Sequence, residues 1–197
     1  MVAMAEPRPS KKADLLQTGK TLMLMKGYAA TSVDEICTAV GVTKGAFFYH
    51  FKSKEYFAAS ILEYVWQPIE TARANIVQTY ADPVERLQAH IDVMVEFVLS
   101  DARLIGIFMQ ALAKTHPEIA EQCQGYFRQW TQYHREDVAA AQAHYLPDTT
   151  LDVDSLVAHI MAAVEGLPVI NSQMGRAQVD GAVAYLKQYV RILFGRQ

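Results

Sequence analysis

Apolar residues recur at three- and four-residue spacing along most of the chain, which predicts helices throughout and almost no strand. The first helix is expected over residues 11–26, with Leu15, Leu22 and Met25 facing inward. Gly27 should end it, because a glycine just past a helix can adopt a backbone conformation that other residues avoid. The pattern therefore opens on an amphipathic helix.

The next stretch, TSVDEICTAVGVTKGAFFYHF, predicts two short helices around a tight turn. Ser32 and Glu35 have the spacing of a capping box, in which each side chain accepts from or reaches back to free amides of the first turn. Gly41 should end that helix, and Thr43 should cap the next, which Phe47 and Phe51 would anchor to the core. Two short helices in this arrangement are typical of a helix-turn-helix that binds DNA.

Seven further helical segments follow, separated by turn clusters such as LPDTT and QMGRAQ. Asp82 followed by Pro83 is a strong helix start, and Pro68 is expected to divide one segment from the next. The expected ranges are 53–66, 68–80, 82–99, 101–116, 117–145, 152–174 and 177–194, with Asp152 or Asp154 as the cap of the helix that ends at 174. The fold class is all-α with about nine helices: an N-terminal helix-turn-helix domain over 1–52 and a larger helical effector-binding and dimerisation domain over 53–197.

Residues 31–57, which we call the reader, resemble the DNA-binding domain of the TetR (tetracycline-repressor-like) family of transcriptional regulators. The matching residues are Gly27, Tyr28, Thr31, Ser32, Val33, Ile36, Val40 to Gly45, Phe48 to Phe51, Lys52, Ser53, Lys54 and Glu55. Close resemblance covers roughly residues 10 to 60, and beyond them only the helical architecture matches. Two positions depart from the family pattern: Cys37 replaces a small alanine, and Phe48 replaces a tyrosine that commonly contacts a phosphate.

DNA contact is assigned to polar, small and aromatic residues of the reader. Thr43 and Lys44 are expected nearest the base edges, and Tyr49, His50 and Lys54 near phosphates. The full set is Thr31, Ser32, Thr43, Lys44, Gly45, Ala46, Phe48, Tyr49, His50 and Lys54. The reader is expected to bind a pseudo-palindromic double-stranded operator. On this basis Lys44→Ala should relax sequence discrimination, and Lys54→Ala should weaken binding uniformly.

Charge is distributed unevenly along the chain, which supports this assignment. Residues 1–56 hold eight Lys or Arg and five Asp or Glu, a net charge of +3, whereas the whole chain carries −3. The remaining residues therefore carry −6. A basic N-terminal module on an acidic body is expected if only one end contacts phosphate.

Two readers must be held at a fixed spacing to bind a two-fold operator, which predicts a homodimer. The last two helices are the candidate interface, because small residues recur every four positions in one and apolar stripes mark the other. The assigned residues are Ala158, Ala162, Gly166, Leu186, Val190 and Leu193. The alternative is that both helices are simply core. The resemblance favours the dimer, because in TetR-like proteins the last two helices form a four-helix interface.

The middle of the chain is rich in adaptable apolar side chains, which commonly line small-molecule pockets. The candidate effector-pocket residues are Trp66, Met94, Phe97, Phe108, Met109, Tyr126, Trp130, Tyr133 and Glu165. Each could equally be a core or surface residue. The resemblance implies an effector pocket in the body whose occupation shifts the helix that joins the body to the reader.

The function expected from these features is a cytoplasmic, ligand-responsive repressor that a small-molecule effector releases from its operator. A DNA-binding protein without an effector is one alternative, and an all-α enzyme is a remote second, because no catalytic motif spacing is present. No cofactor or metal is expected. Residues 1–10 resemble neither a signal peptide nor a membrane anchor, and no uncharged apolar run is long enough to span a bilayer. Cys37 is either a small buried residue or a thiol sensor.

Overall fold

The computed structural model describes residues 10–195, and the expectation about a signal peptide or anchor at 1–10 falls almost wholly outside that range. Within residues 10–195 there are ten α-helices and no strand. They are α1 Lys11–Lys26, α2 Val33–Val40, α3 Lys44–His50, α4 Lys54–Thr79, α5 Pro83–Ser100, α6 Arg103–Leu112, α7 Pro117–Tyr145, α8 Val153–Glu165, α9 Leu167–Met174 and α10 Arg176–Leu193. The all-α prediction is confirmed.

Helix starts follow the capping residues that the sequence contains. The Asp82 carboxylate accepts from the amides of Val84 and Glu85 at 2.8 and 3.0 Å, and Pro83 occupies the first turn of α5. Ser10 caps α1 by accepting from the amide of Ala13 at 3.2 Å. These side-chain acceptors satisfy amides that have no partner inside the helix, so the starts are specified locally.

Three predicted boundaries are wrong. Helix α4 continues through Pro68, because the buried residues Trp66 and Ile69 hold both sides of the proline against the core, and one lost hydrogen bond does not end the helix. The segment predicted over 101–116 is helical only to Leu112. The single helix predicted over 152–174 is interrupted at Gly166, two residues before a proline.

The inward face of α1 differs from the prediction. Met25 is 75% exposed, whereas Met23 is fully buried. Leu15, Gly19 and Met23 are four apart, so they lie on one face of the helix and define its buried side. Gly19 allows α1 to approach α4 closely, because a Cβ at this position would lie 2.4 Å from the ring of Phe57.

The chain divides into two compact units. The first contains the described residues up to Val65 together with Leu104–Cys123, and the second contains Trp66–Arg103 and the described residues from Gln124 onward. The core of the first includes the rings of Phe47, Phe51 and Phe57, whose centroids are 4.7 to 5.3 Å apart. The boundary at 52/53 proposed for the DNA-binding module stays a prediction.

In the second unit, α5 packs against α8, α9 and α10. Its core contains fully buried residues from several helices, including Leu87, Ile91, Ile160 and Val179. The stretch Val153–Met174 has a mean hydropathy of 1.5 and passes a length-and-composition test for a membrane span. Core helices pass the same test, and this stretch contains Asp154 and Glu165 besides the interruption at Gly166.

Candidate nucleic-acid interface

Side-chain caps and one left-handed glycine build the junction between α2 and α3. The Ser32 hydroxyl accepts from the amide of Glu35 at 3.2 Å, and the Thr43 hydroxyl accepts from the amide of Ala46 at 3.2 Å. Gly41 has φ = 73°, a conformation that costs glycine little because it lacks a Cβ. The predicted starts of both helices and the turn between them are therefore confirmed.

Helix α3 is short and rich in aromatic residues, yet one of its faces is exposed. Tyr49 is 84% exposed and Phe48 is 50% exposed, whereas the adjacent Phe47 is fully buried. The residues Thr43, Lys44 and Gly45 at its N-terminal end are also exposed, and Ala46 and His50 are half-buried. Exposed aromatics beside a lysine at the start of a helix form a surface that can meet the grooves and backbone of DNA.

Lys44 is paired with an acidic residue of the preceding helix. Its Nζ lies 2.8 Å from the Asp34 carboxylate, and both side chains are more than half exposed. An exposed ion pair of this kind contributes little free energy, so exchange of Asp34 for a phosphate or a base edge costs little. The pair holds the lysine over the α2–α3 turn and leaves it able to contact DNA.

Thr31 and Ser32, two further predicted contact residues, also make hydrogen bonds within the protein. Thr31 is fully buried and its hydroxyl donates to the carbonyl of Gly27 at 2.8 Å, so its assignment to the DNA surface is corrected. It holds the turn between α1 and α2. Ser32 is exposed, and its hydroxyl caps α2.

Lys54 is part of a small cluster around Tyr28. Its Nζ donates to the Tyr28 carbonyl at 2.7 Å and lies 4.1 Å from the centroid of the Tyr28 ring. The Tyr28 hydroxyl donates to the Glu55 carboxylate at 3.0 Å, and burial together with that carboxylate raises the pKa of Tyr28. Desolvation lowers the pKa of Lys54. The sequence did not indicate this cluster, because its members meet only when the start of α4 packs beside the α1–α2 turn.

Cys37 is 4% exposed and lies on the inner face of α2. Burial raises the pKa of its thiol, which disfavours the reactive thiolate. Cys37 therefore has the environment of a small buried residue.

The predicted dimer residues separate into exposed and buried members. Ala158 and Ala162 are exposed on α8, whereas Val190 on α10 is fully buried within the protomer and is a core residue, which corrects its assignment. Gly166, Leu186 and Leu193 are half-buried. The large apolar residues that α9 and α10 expose are Val169, Met174, Tyr185, Tyr189 and Ile192.

The predicted pocket residues are divided between the two units. Phe108 and Met109 belong to the first unit, where Phe108 packs edge-on against Tyr28 with centroids 6.1 Å apart. In the second unit, Trp66 stacks on Tyr126 at 4.7 Å and meets Phe97 edge-on at 5.6 Å. The other second-unit candidates are the buried Met94 and Trp130, the half-buried Tyr133 and the exposed Glu165.

Sequence reasoning missed a set of buried polar residues in the second unit. They are Arg73, His90 and Asp137, which are 8%, 0% and 1% exposed, and the half-buried Arg86 adjoins them. The available signal was the presence of His90 in the apolar stripe of α5. Elsewhere in this unit, a groove of about 1050 Å³ lies between α5 and α10, crossed by the Asp92–Lys187 and Glu96–Arg176 ion pairs. Among the described residues, no group of three or more His, Cys, Asp or Glu is placed to hold a metal ion.

Comparison with known proteins agrees with this reader geometry. Residues 15–61 match the family model described as bacterial regulatory proteins, tetR family. The chain is 26% identical over 188 residues to the HTH-type transcriptional repressor DhaR of Mycobacterium sp. strain GP1, covering 95% of this chain and 92% of that protein.

Solved structures show the same fold. A TetR transcriptional regulator from Legionella pneumophila superposes with a TM-score of 0.74 at 19% identity, covering 94% of this chain and 99% of that one. AibR, solved with isovaleryl coenzyme A and operator DNA, gives a TM-score of 0.72 at 22% identity, covering 95% and 100%. These proteins are named as transcriptional regulators rather than enzymes. Residues 15–61, which include the capped α2–α3 reader, therefore form a DNA-binding domain of the type that the tetR family model describes, in a chain that has the fold of TetR regulators.

Proposed function

We propose that this protein is a repressor that binds a pseudo-palindromic operator as a homodimer in the cytoplasm and that a small-molecule effector releases it. The exposed N-terminal end of α3 carries this proposal. Thr43, Lys44 and Gly45 are accessible there, and Tyr49 is accessible one turn later. In the proposed complex α3 enters the major groove, Thr43 and Lys44 contact base edges, and Tyr49 and His50 contact the backbone.

The dimer would form through α8, α9 and α10. Ala158 and Ala162 leave little side-chain bulk on the outer face of α8, which permits a second helix to approach closely. Tyr185, Tyr189 and Ile192 supply apolar area on α10 that only a partner would remove from water. A two-fold axis through this face would present two α3 helices to half-sites about one helical turn apart.

Release would follow from a coupling between effector and operator. Helix α4 begins within the reader at Lys54 and ends in the second unit at Thr79, so a change in its orientation would alter the spacing of the two readers. If effector and operator favour different spacings, each weakens the binding of the other by the same factor. The DhaR relative is named a repressor, which supports repression over activation.

Selection of bound duplexes from a random-sequence DNA pool tests the proposal. We expect an inverted repeat to be enriched, with half-sites about 10 base pairs apart or a multiple of that spacing. Enrichment of a single, non-repeated site would contradict binding as a dimer, and no enrichment would contradict sequence-specific binding.

The selected operator then tests the recognition face. Lys44→Ala should lose roughly tenfold or more of the preference for operator over scrambled DNA, since a good base contact contributes about 1–3 kcal/mol of discrimination. Lys20→Ala is the matched control, because it removes one positive charge from α1. Fluorescence anisotropy at several salt concentrations measures both, and equal discrimination by the two variants would refute the assigned face.

A further inference from the structure

Two helices of the second unit place three buried aromatic rings with polar nitrogens next to one another. His90 lies on α5, and Trp130 and His134 lie one turn apart on α7. The His90 and His134 rings stack with centroids 4.7 Å apart and an interplanar angle of 20°, and the Trp130 ring is 6.1 Å from that of His134. None of the three is more than 3% exposed. We call them the imidazole–indole cluster.

Four polar atoms of this cluster find no hydrogen-bond partner among the described residues. They are both ring nitrogens of His90, the Nε1 of Trp130 and the Nε2 of His134. Buried polar groups are almost always hydrogen-bonded, and leaving one unsatisfied is costly. Four unsatisfied polar atoms in adjoining rings therefore indicate a site where a bound molecule, rather than a side chain of this protomer, supplies the hydrogen-bond partners.

The chemistry of the missing partner follows from the atoms themselves. The Nδ1 of His134 is 3.2 Å from the Trp130 carbonyl, which can only accept, so Nδ1 carries the proton and Nε2 is an acceptor. The Nε1 of Trp130 can only donate. A neutral His90 ring adds one donor and one acceptor. The cluster thus presents both kinds of group to whatever it meets.

The cluster offers no net charge to a ligand. Burial lowers the pKa of His90 to about 2 and that of His134 to about 4, so both rings are neutral near pH 7. Nearby, Arg73 is bound by Asp137 and Glu136, and Arg86 also donates to Asp137. Two guanidinium groups are therefore matched by two carboxylates, one of which lies 3.9 Å from the Nδ1 of His90.

We propose that the imidazole–indole cluster is the polar part of the effector site and that the effector is an uncharged molecule with a hydroxyl or primary amide on an apolar body. A carboxylate only accepts and an ammonium only donates, so either would leave half of the cluster unsatisfied and would enter without a counter-charge. Met94, one turn from His90 on the same face of α5, is buried and suits an apolar body. This inference rests on the proposed function.

Five matched probes test the ligand class: benzamide, benzyl alcohol, benzoate, benzylammonium and toluene. Long-range ¹H–¹⁵N spectra of the full-length protein, labelled at histidine, report on the two rings directly. We expect benzamide and benzyl alcohol to shift the His90 and His134 ring resonances saturably, with affinities at least tenfold above those of the two ions and toluene. No shift with any probe at millimolar concentration, or equal affinity for the ions, would overturn the proposal.

A pair of variants tests whether the indole N–H is used. Trp130→Phe removes a donor without a partner, whereas Trp66→Phe removes one that already donates to Gln129 at 2.8 Å. We expect Trp130→Phe to lose at least tenfold in benzamide affinity and Trp66→Phe to lose less than threefold. Equal losses in the two variants would show that the cluster does not bind the probe through its indole.

Operator binding by the unliganded wild type is measured in the same anisotropy assay. This measurement distinguishes a failure of the present inference from a failure of the proposed function. Intact operator binding that the amide and alcohol leave unchanged, without ring shifts, refutes this inference alone. Absence of sequence-specific operator binding refutes the proposed function, whatever the probes do to the rings.

Discussion

Among single residues, the same side-chain type has different roles according to what the fold places beside it. Lys44 and Lys54 both belong to the sequence pattern of the reader, yet Lys44 is exposed beside Asp34, and Lys54 donates to the Tyr28 carbonyl. A lysine held by a carbonyl and an aromatic ring contributes to stability as well as to charge. The role of Lys54 therefore has to be tested by folding and by DNA binding separately.

We expect Lys54→Ala to destabilise the protein by about 1–3 kcal/mol, because it removes a charged hydrogen bond and a cation–π contact. Lys52→Ala removes the same charge from an exposed position two residues earlier and should stay within about 0.5 kcal/mol of the wild type. Urea unfolding followed by circular dichroism measures both. Similar midpoints for the two variants would mean that Lys54 acts only through its charge.

The buried histidines give a second prediction for individual residues, in the pH dependence of stability. The folded pKa values of His90 and His134, about 2 and about 4, lie below the ordinary value of 6.5. Below pH 6.5 the unfolded chain therefore binds protons that the folded chain does not, and the stability present above that pH is lost as pH falls. Each histidine should contribute roughly 1–2 kcal/mol of this loss between about pH 7 and about pH 5.

Urea titrations at several pH values check whether stability falls as pH falls and whether the buried histidines cause that loss. His134→Gln should flatten the decline by the contribution of one residue, and His144→Gln, at the exposed end of α7, should leave it unchanged. A wild-type protein whose stability rises on acidification over this range would contradict the buried, neutral state of both rings.

For whole helices, packing decides where an element ends and which face it buries. Pro68 predicted a break, but α4 continues because buried residues flank it on both sides. Gly19 shows the reverse case, in which a residue with weak helix propensity lies inside α1 because Phe57 occupies the space of its missing Cβ. Local propensity is thus overruled by neighbours from distant parts of the chain.

We expect Gly19→Ala to destabilise the protein by about 1–3 kcal/mol, because its methyl group would meet the Phe57 ring. Gly106→Ala is the control: a methyl group on that helical glycine would meet no atom within 4 Å, so alanine should be neutral or stabilise by up to about 1 kcal/mol. Thermal unfolding distinguishes them, and a stabilised Gly19→Ala variant would show that α1 and α4 are not so close.

For the molecule as a whole, the proposed function depends on a surface that a single protomer leaves exposed. Tyr185, Tyr189 and Ile192 are exposed on α10, whereas Val190 of the same helix is buried. An exposed apolar stripe of that kind is expected at an interface between subunits. In the proposed dimer it fixes the distance between the two readers and so determines operator affinity.

We expect the double variant Tyr185→Asp with Ile192→Asp to be monomeric at micromolar concentration, because two buried carboxylates would oppose association. Its operator affinity should fall at least a hundredfold, since the second reader would no longer bind at a high effective concentration. Val77→Asp, at another exposed apolar position on α4, is the control and should remain dimeric. Light scattering after size-exclusion chromatography measures the oligomeric state of both variants. A dimeric double variant would show that the interface lies elsewhere.

The fold class, the helix starts at Ser32, Thr43 and Asp82, and the family of the reader could all be predicted from the amino-acid sequence. These features depend on caps, glycine turns and short-range spacing, which operate within a few residues of each other. The exposed face of α3 could be predicted for the same reason, because a short helix with a known buried side has a known outer side.

The roles of Thr31, Lys54 and Val190, and the contact between His90 and His134, could be seen only in the folded protein. Each depends on a neighbour from another turn or helix, and no local pattern specifies which helices meet or at what register. Only the folded protein also shows which buried polar atoms lack a hydrogen-bond partner. This property distinguishes the imidazole–indole cluster from ordinary core residues. What a side chain can bind depends on which of its atoms the fold leaves unsatisfied.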